Sequence, residues 1–280
     1  MKNALILFSA LVVLPSATLA QAPSAAPPAA PAARPAPAPD PRLVAAQQAF
    51  EALPEAERKA IQQDLGFATA FNGAALGTFG PLTFNAIQKF EREQKLNVDG
   101  ILSPEERKQL AAIAGNARRA LRFAVLDDAR TGAKIGVPQN VFVKRETNNN
   151  GGSRWQTADG KATLDTIVAP AGETLQALYD RATAAAPNRK VTYKLLRPDF
   201  FVVTAETATG KSYRRMTLGP DGALRGFAIG YDKGVATELD KLTIAVANSY
   251  DAFPAPAAPT AGARPAAGAL ATAAARAAAG

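Results

Sequence analysis

The sequence predicts a multi-domain protein of class α and α+β: a small three-helix module, then an antiparallel sheet domain with two helices. Up to about residue 117, apolar residues recur every three or four positions, which is the spacing of a helical face. From residue 121 onward they alternate along short runs separated by turn signals, which indicates strands. Ala/Pro-rich stretches at both ends cannot bury a core, so the folded part comprises roughly 210 residues.

Residues 1–20 are typical of a secretory signal peptide. Lys2 precedes an apolar run that ends at Leu14, and Thr18 and Ala20 place small residues at the cleavage positions. The run is shorter than the roughly 20 apolar residues that cross a bilayer. We therefore expect a secreted, periplasmic or cell-envelope protein with no transmembrane segment after cleavage.

The remaining boundaries follow from composition. Residues 21–42 are predicted to be an Ala/Pro-rich linker, and residues 255–280 a disordered tail of similar composition. Between them we expect a helical domain over residues 43–117 and an α+β domain over residues 118–254.

The chain contains neither His nor Cys. This excludes Ser-His-Asp triads, thiol nucleophiles, disulfides and the usual zinc sites. We expect no cofactor and no metal, and we favour a non-catalytic role. A carboxylate pair of the glycosidase type stays open, with Asp127, Asp128 and Asp159 as candidates, although solvated turn roles are commoner for such residues.

Charge is unevenly distributed between the two predicted domains. Residues 43–117 contain 7 basic and 9 acidic residues, a net charge of −2, whereas residues 118–254 contain 20 basic and 14 acidic residues, a net charge of +6. A basic surface attracts polyanions. In an exported protein these are peptidoglycan carboxylates or wall and lipid phosphates, and nucleic acid is not an expected partner.

Several local signals define helices in the first domain. A helical stripe extends from Leu43 to Leu53, a second helix begins near Pro54 and is predicted to stop at Gly66, and a third begins at Pro81. The next helix start is the strongest signal, because Ser103 and Glu106 have the spacing of a capping box.

Between residues 77 and 100 lies a series of spaced residues. The series is Phe79-Gly80, Thr83, Ala86-Ile87, Phe90 and Leu96-Asn97-Val98-Asp99-Gly100. It resembles the peptidoglycan-binding domain found on many wall hydrolases, over residues 53–114. This sequence departs from that family at Glu91, where a glutamine is usual, and in the loop 72–77, where the family's aspartate-glycine is diluted. The resemblance implies a wall-binding helical module with peptidoglycan as its partner.

Most motif residues are expected to serve the fold. Phe79, Ile87 and Phe90 belong in a core, Gly80 and Gly100 suit unusual backbone dihedrals, and Thr83 bonds within its own helix turn. The resemblance places ligand binding in the groove between the second and third helices. The exposed candidates there are Asn72, Arg92, Gln94 and Asp99.

The second domain shows the order several strands, a helix, four strands, a helix, which is an α+β layer arrangement. This order loosely resembles that of an extrinsic photosystem subunit, but no motif identifies the domain. We predict that residues 148–152 form a flexible loop tip and that Trp155 is half-buried or stacks on a sugar. Arg189-Lys190 and Arg214-Arg215 form either a solvated strand face or an anion patch.

These observations predict an exported, non-catalytic cell-envelope protein that binds peptidoglycan through its helical module, with an accessory α+β domain. Two alternatives stay open. One is a wall-active glycosidase that uses carboxylates. The other is an adaptor that recruits another envelope protein.

Overall fold

The computed structural model describes residues 40–69 and 71–255. The predicted signal peptide, residues 21–39 of the linker and residues 256–280 of the tail lie outside the described residues. The helices are α1 (Pro41–Glu51), α2 (Glu55–Thr69), α3 (Pro81–Glu93), α4 (Pro104–Leu121), α5 (Leu175–Thr183) and α6 (Ala236–Ser249). The strands are β1 (Phe123–Asp128), β2 (Ala133–Pro138), β3 (Lys144–Thr147), β4 (Ser153–Gln156), β5 (Ala162–Val168), β6 (Lys190–Leu196), β7 (Phe200–Glu206), β8 (Gly210–Leu218) and β9 (Leu224–Asp232).

The predicted fold class is confirmed: a helical module precedes a mostly antiparallel sheet domain. Helices α1 to α4 enclose one apolar cluster, whose deeply buried members include Leu65, Ile87, Phe90 and Leu110. No helix within the described residues has both the length and the apolar character needed to cross a membrane.

The capping box at the start of α4 is confirmed. The amide of Glu106 donates to Ser103 Oγ at 3.2 Å, and the amide of Ser103 donates to Glu106 Oε2 at 2.7 Å. Each side chain thus satisfies a backbone donor that the helix leaves free. Helix α4 then continues through residue 117 to Leu121, so that one helix leads directly into β1.

The predicted stop of the second helix at Gly66 is wrong, because α2 continues to Thr69. A Cβ added at Gly66 would meet nothing closer than Phe71 O at 3.8 Å, so this glycine marks no tight turn. Thr69 is buried and its hydroxyl donates to Leu65 O at 2.9 Å, which extends the helix beyond the glycine.

The second domain contains a two-stranded sheet, β1-β2, and a seven-stranded sheet in the order β3-β4-β5-β9-β8-β7-β6. All of its strand pairs are antiparallel. β9 comes last in the chain but lies between β5 and β8, so it joins the strands that precede α5 to those that follow it. Along the chain, five strands precede α5 and four strands separate it from α6, which confirms the predicted order of strands and helices.

Helix α6 covers one face of the large sheet, and its apolar side packs with Leu164, Phe227 and Ile229. Trp155 lies in the same core at 3 % exposure, so neither the half-buried nor the sugar-stacking role that we predicted for it is correct. The guanidinium of Arg145 lies 5.0 Å from the centre of its ring.

Two polar residues predicted to lie at the surface are buried. Asp128 accepts hydrogen bonds from Ser153 Oγ at 2.7 Å and from Thr166 Oγ1 at 2.6 Å. Burial acts to raise the pKa of Asp128, but these bonds outweigh it and hold the pKa below its ordinary value. Asn148 donates to Thr166 O at 2.9 Å and accepts from the amide of Gly152 at 3.0 Å. The loop at 148–152 is therefore held at its base by a buried side chain, not free as a loop tip.

Candidate functional site

The loop between α2 and α3 is held in place by Gln62, which is 1 % exposed. Its amide nitrogen donates to Thr78 O at 2.8 Å and to Thr83 Oγ1 at 3.0 Å, and its amide oxygen accepts from the amide of Gly77 at 2.8 Å. Thr83 thus accepts a hydrogen bond from a neighbouring helix. We had predicted that it bonds back within its own helical turn, and no such bond occurs among the described residues. These bonds fix the start of α3 against α2.

The turn after α3 is held by Glu91, which is fully buried. Its two carboxylate oxygens lie 3.1 and 2.9 Å from the amide nitrogen of Gly100. Burial is the largest influence on this group and raises the pKa of Glu91 to about 7. Glu91 stands where the family usually has glutamine, and its burial shows that it acts on the turn and not on a ligand directly.

The two motif glycines differ in their surroundings. Gly100 has φ +81°, and a Cβ there would lie 2.2 Å from the ring of Phe84, so only glycine fits. Gly80 has an extended backbone with φ −174°, and a Cβ there would meet nothing within 4 Å. The predicted need for an unusual dihedral is therefore confirmed for Gly100 and wrong for Gly80.

The aromatic and aliphatic motif residues lie in the core, as predicted. Ile87 and Phe90 are buried, and Phe79 is half-buried. The ring of Phe79 packs 5.3 Å from that of Phe50 and 6.3 Å from that of Phe84. These residues position the loops and leave the surface to other side chains.

Three of the four predicted binding residues lie at or just beyond the C-terminal end of α3. Arg92 is exposed in its last turn, and Gln94 caps the helix and accepts from Gln109 Nε2 at 3.1 Å. Asp99 accepts from the amide of Ile101 at 2.8 Å and from Asn97 Nδ2 at 2.7 Å, so its carboxylate shapes the turn. Arg92 and Gln94 are the side chains with the most freedom to meet a ligand.

Asn72 lies apart from these three residues. It lines a cavity of about 320 Å³ whose other walls come from β6 to β9 and α6, including Lys211 and Asp240. Asn248 of α6 fixes the neighbouring loop, donating to Gly73 O at 3.1 Å and accepting from the amide of Ala75 at 3.0 Å. Asn72 therefore faces the sheet domain and not the end of α3.

Two exposed leucines were missed by the sequence reasoning. Leu76 and Leu82, 63 % and 56 % exposed, flank the segment that Gln62 holds. Leu82 lies in α3 off its apolar stripe, and an apolar residue in that position is the signal that could have identified it. Leu76 lies in the loop before α3. At 1.5 Å per residue, Leu82 lies about 15 Å along the helix axis from Arg92. The module thus presents an apolar surface at one end of α3 and a polar surface at the other.

The carboxylates considered for catalysis do not form a pair. Asp128 is buried and fully hydrogen-bonded, whereas Asp127 on the same strand is exposed and lies 3.7 Å from Lys134. Asp159 lies in the turn between β4 and β5, where the amide of Lys161 and the hydroxyl of Thr157 lower its pKa to about 2. A general acid needs a raised pKa, whereas the pKa values of Asp128 and Asp159 are lowered.

Residues 54–110 match the family model described as a putative peptidoglycan binding domain. No curated protein matches the chain. The matched segment contains α2, α3 and the beginning of α4, together with both of the buried residues that hold its loops. The resemblance seen in the sequence is thereby confirmed over residues 54–110, which match the family model.

Proposed function

We propose that this protein is an exported, non-catalytic cell-envelope protein that binds peptidoglycan through its helical module, residues 43–117. The observation that carries the proposal is the family match over a segment whose two loops are each held by a buried polar side chain, Gln62 and Glu91. The sheet domain, residues 118–254, acts as an accessory domain.

The polar end of α3 is the proposed contact surface. Arg92 can bind a stem-peptide carboxylate with two parallel hydrogen bonds, and Gln94 can exchange hydrogen bonds with amide and hydroxyl groups of the wall. Because Glu91 and Asp99 hold the adjacent turn, little ordering entropy is lost on binding. Neither role requires a catalytic group.

The test is sedimentation of the full mature chain with insoluble peptidoglycan at high salt, where attraction between charges that are not in direct contact is screened. We expect the variant Arg92→Ala/Gln94→Ala to bind at least tenfold more weakly than the wild type. The matched control is Gln47→Ala/Lys108→Ala, which removes an exposed amide and an exposed cation elsewhere in the module. Equal losses of affinity in both variants, or no loss in either, contradict the assignment of this contact surface.

Export and the absence of catalysis have separate tests. The mature chain recovered from the periplasm is expected to begin near Gln21, and an intact Met1 there contradicts export. On a gel containing peptidoglycan we expect no cleared zone. A cleared zone that disappears when a single Asp or Glu is changed supports the glycosidase alternative instead.

A further inference from the structure

The face of the seven-stranded sheet opposite α6 is only partly covered. Helix α5 packs on β6, β7 and β8 over an apolar cluster that includes Phe201, Val203 and Met216. On β5 and β9 the same face carries the small or polar residues Thr163 and Gly230 near one end, whereas Ile167 and Leu224 near the other end belong to the apolar cluster. By strand register, Thr163, Gly230, Ser212 and Ala205 form one row across four strands, β5-β9-β8-β7.

This row is the floor of a cavity of about 300 Å³. Arg189 and Lys161 line it, together with Asp232, and Lys161 pairs with Asp159 at 3.1 Å. Two residues further along β8, Arg214 borders a second cavity, of about 550 Å³, that also contains Arg130 and Arg181. Ser212 and Arg214 are consecutive side chains on this face of β8, so the two cavities lie next to each other along the strand. We call the surface that they form together the trough.

The trough carries positive charge that the fold itself leaves partly unmatched. Arg181 pairs with Glu173 at 2.7 Å, but among the described residues no carboxylate lies within ion-pair distance of Arg189 or Arg214. The Nε atom of Arg189 is buried without a hydrogen-bond partner in the described part of the chain, while its Nη2 atom donates to Ala184 O at 2.6 Å. Asp165, on the same face, is already engaged by Arg154 at 2.8 Å.

The basic residues of the dipeptides Arg189-Lys190 and Arg214-Arg215 lie on both faces of the sheet. Arg215 points to the α6 side, where it lies 5.0 Å from the ring centre of Phe200. Arg189 and Arg214 lie on the open side, close enough for the charge of Arg189 to act on Arg214. After desolvation, which is the largest cause, Arg189 and Arg181 lower the pKa of Arg214 further.

We propose that this trough binds an extended peptide bearing carboxylates, namely the stem peptide of peptidoglycan. Planar guanidinium groups match carboxylates with two hydrogen bonds each, and Thr163 and Ser212 offer hydroxyls to peptide amides. The low floor at Gly230 leaves room for a main chain. The inference rests on the proposed function, because it assigns the sheet domain a second contact with the same polymer.

The test is binding of a soluble stem tetrapeptide to the full mature chain, measured by calorimetry. We expect Arg189→Gln/Arg214→Gln to lower the affinity at least tenfold. The matched control, Lys190→Gln/Lys241→Gln, removes the same charge outside the trough and is expected to change affinity less than twofold. A tetrapeptide with amidated carboxylates should bind at least tenfold more weakly to the wild type.

A second variant changes shape and not charge. Gly230→Val fills the floor, and a Cβ there makes an ordinary contact with Thr163 Oγ1 at 3.7 Å. We expect an unchanged thermal melt and at least a fivefold loss of peptide binding. Undiminished binding in this variant overturns the trough.

Other outcomes also decide the matter. An equal loss in the lysine control, equal binding of the amidated peptide, or preference for a phosphate polymer over the tetrapeptide each refutes the carboxylate-peptide site. Sedimentation of Arg92→Ala/Gln94→Ala at high salt reports on the helical module alone. Absence of peptide binding at the trough, with wall binding by the helical module intact, is therefore distinguishable from absence of wall binding altogether.

Discussion

Glu91→Gln should change how the stability of the protein depends on pH. Glu91 is fully buried and accepts from the amide of Gly100 at 2.9 Å. Burial is the main reason that its pKa rises from 4.5 to about 7 in the folded protein. Glutamine keeps an oxygen acceptor for Gly100 but carries no proton that dissociates.

The raised pKa of Glu91 determines the direction in which the free energy of unfolding changes with pH. Between pH 4.5 and about 7 the folded protein binds the Glu91 proton more tightly than the unfolded chain does, so this group's contribution to the free energy of unfolding falls as pH rises. At 1.36 kcal/mol per pH unit, the contribution lost across this window is up to about 3 kcal/mol. In the Glu91→Gln variant, the buried side-chain amide adds a penalty of about 1 kcal/mol that does not depend on pH.

Urea unfolding of the full mature chain at pH 5 and pH 8 measures both effects. Relative to the wild type, the free energy of unfolding of Glu91→Gln should rise by about 2–3 kcal/mol between the two pH values. The matched control is Glu93→Gln on the same helix, where the carboxylate is exposed and lies 3.8 Å from Lys89. The same difference from wild type at pH 5 and pH 8 for Glu91→Gln would refute the reasoning.

Three further pairs of substitutions test the packing, each by urea unfolding. Gly100→Ala should destabilise the protein by about 2–4 kcal/mol, because its φ is positive and a Cβ there meets the ring of Phe84. Gly80→Ser should stabilise it by about 0.5 kcal/mol, because Gly80 has open space and is the N-cap of α3. A similar loss of stability in both variants contradicts the difference that we assign to the two glycines. Asn148→Ala should destabilise by about 2–4 kcal/mol because the amide of Gly152 and the carbonyl of Thr166 lose their partner, while Asn149→Ala on the exposed part of the loop should change stability by less than about 0.5 kcal/mol. Asn248→Ala should cost about 1–2 kcal/mol and speed amide exchange at Ala75, with exposed Asn116→Ala as the control; unchanged exchange would show that this link is not a constraint on the loop.

Features set by neighbours in sequence were predictable. The capping box at Ser103, the helix start at Pro81 and the alternation of the strands depend on residues within a few positions of each other. Gly100 was assigned correctly because a tight turn demands a positive φ wherever it occurs. The end of α2 was not predictable from Gly66, since burial of Thr69 decides it.

Features set by distant partners were not predictable. Asp128 is buried because Thr166 lies opposite it, 38 residues later in the chain, and nothing near Asp128 in the sequence indicates this partner. Asn72 was grouped with Arg92 because both are polar and near the motif. Contact between its loop and Asn248 of α6, more than 170 residues away, places it at the sheet domain instead.

The net charges of the two domains determine how wall binding by each of them should depend on salt concentration. The helical module carries a net charge of −2, so its affinity for an anionic wall has to come from local hydrogen bonds at Arg92 and Gln94 and from the fixed turn beside them. The sheet domain carries +6, and its trough arginines attract carboxylates through charges that salt screens beyond about 8 Å. Two weak sites on one polymer bind together far more tightly than either alone. Removing the trough arginines should therefore both weaken wall binding at low salt and flatten its salt dependence, whereas removing Arg92 and Gln94 should weaken binding at every salt concentration and change its salt dependence less.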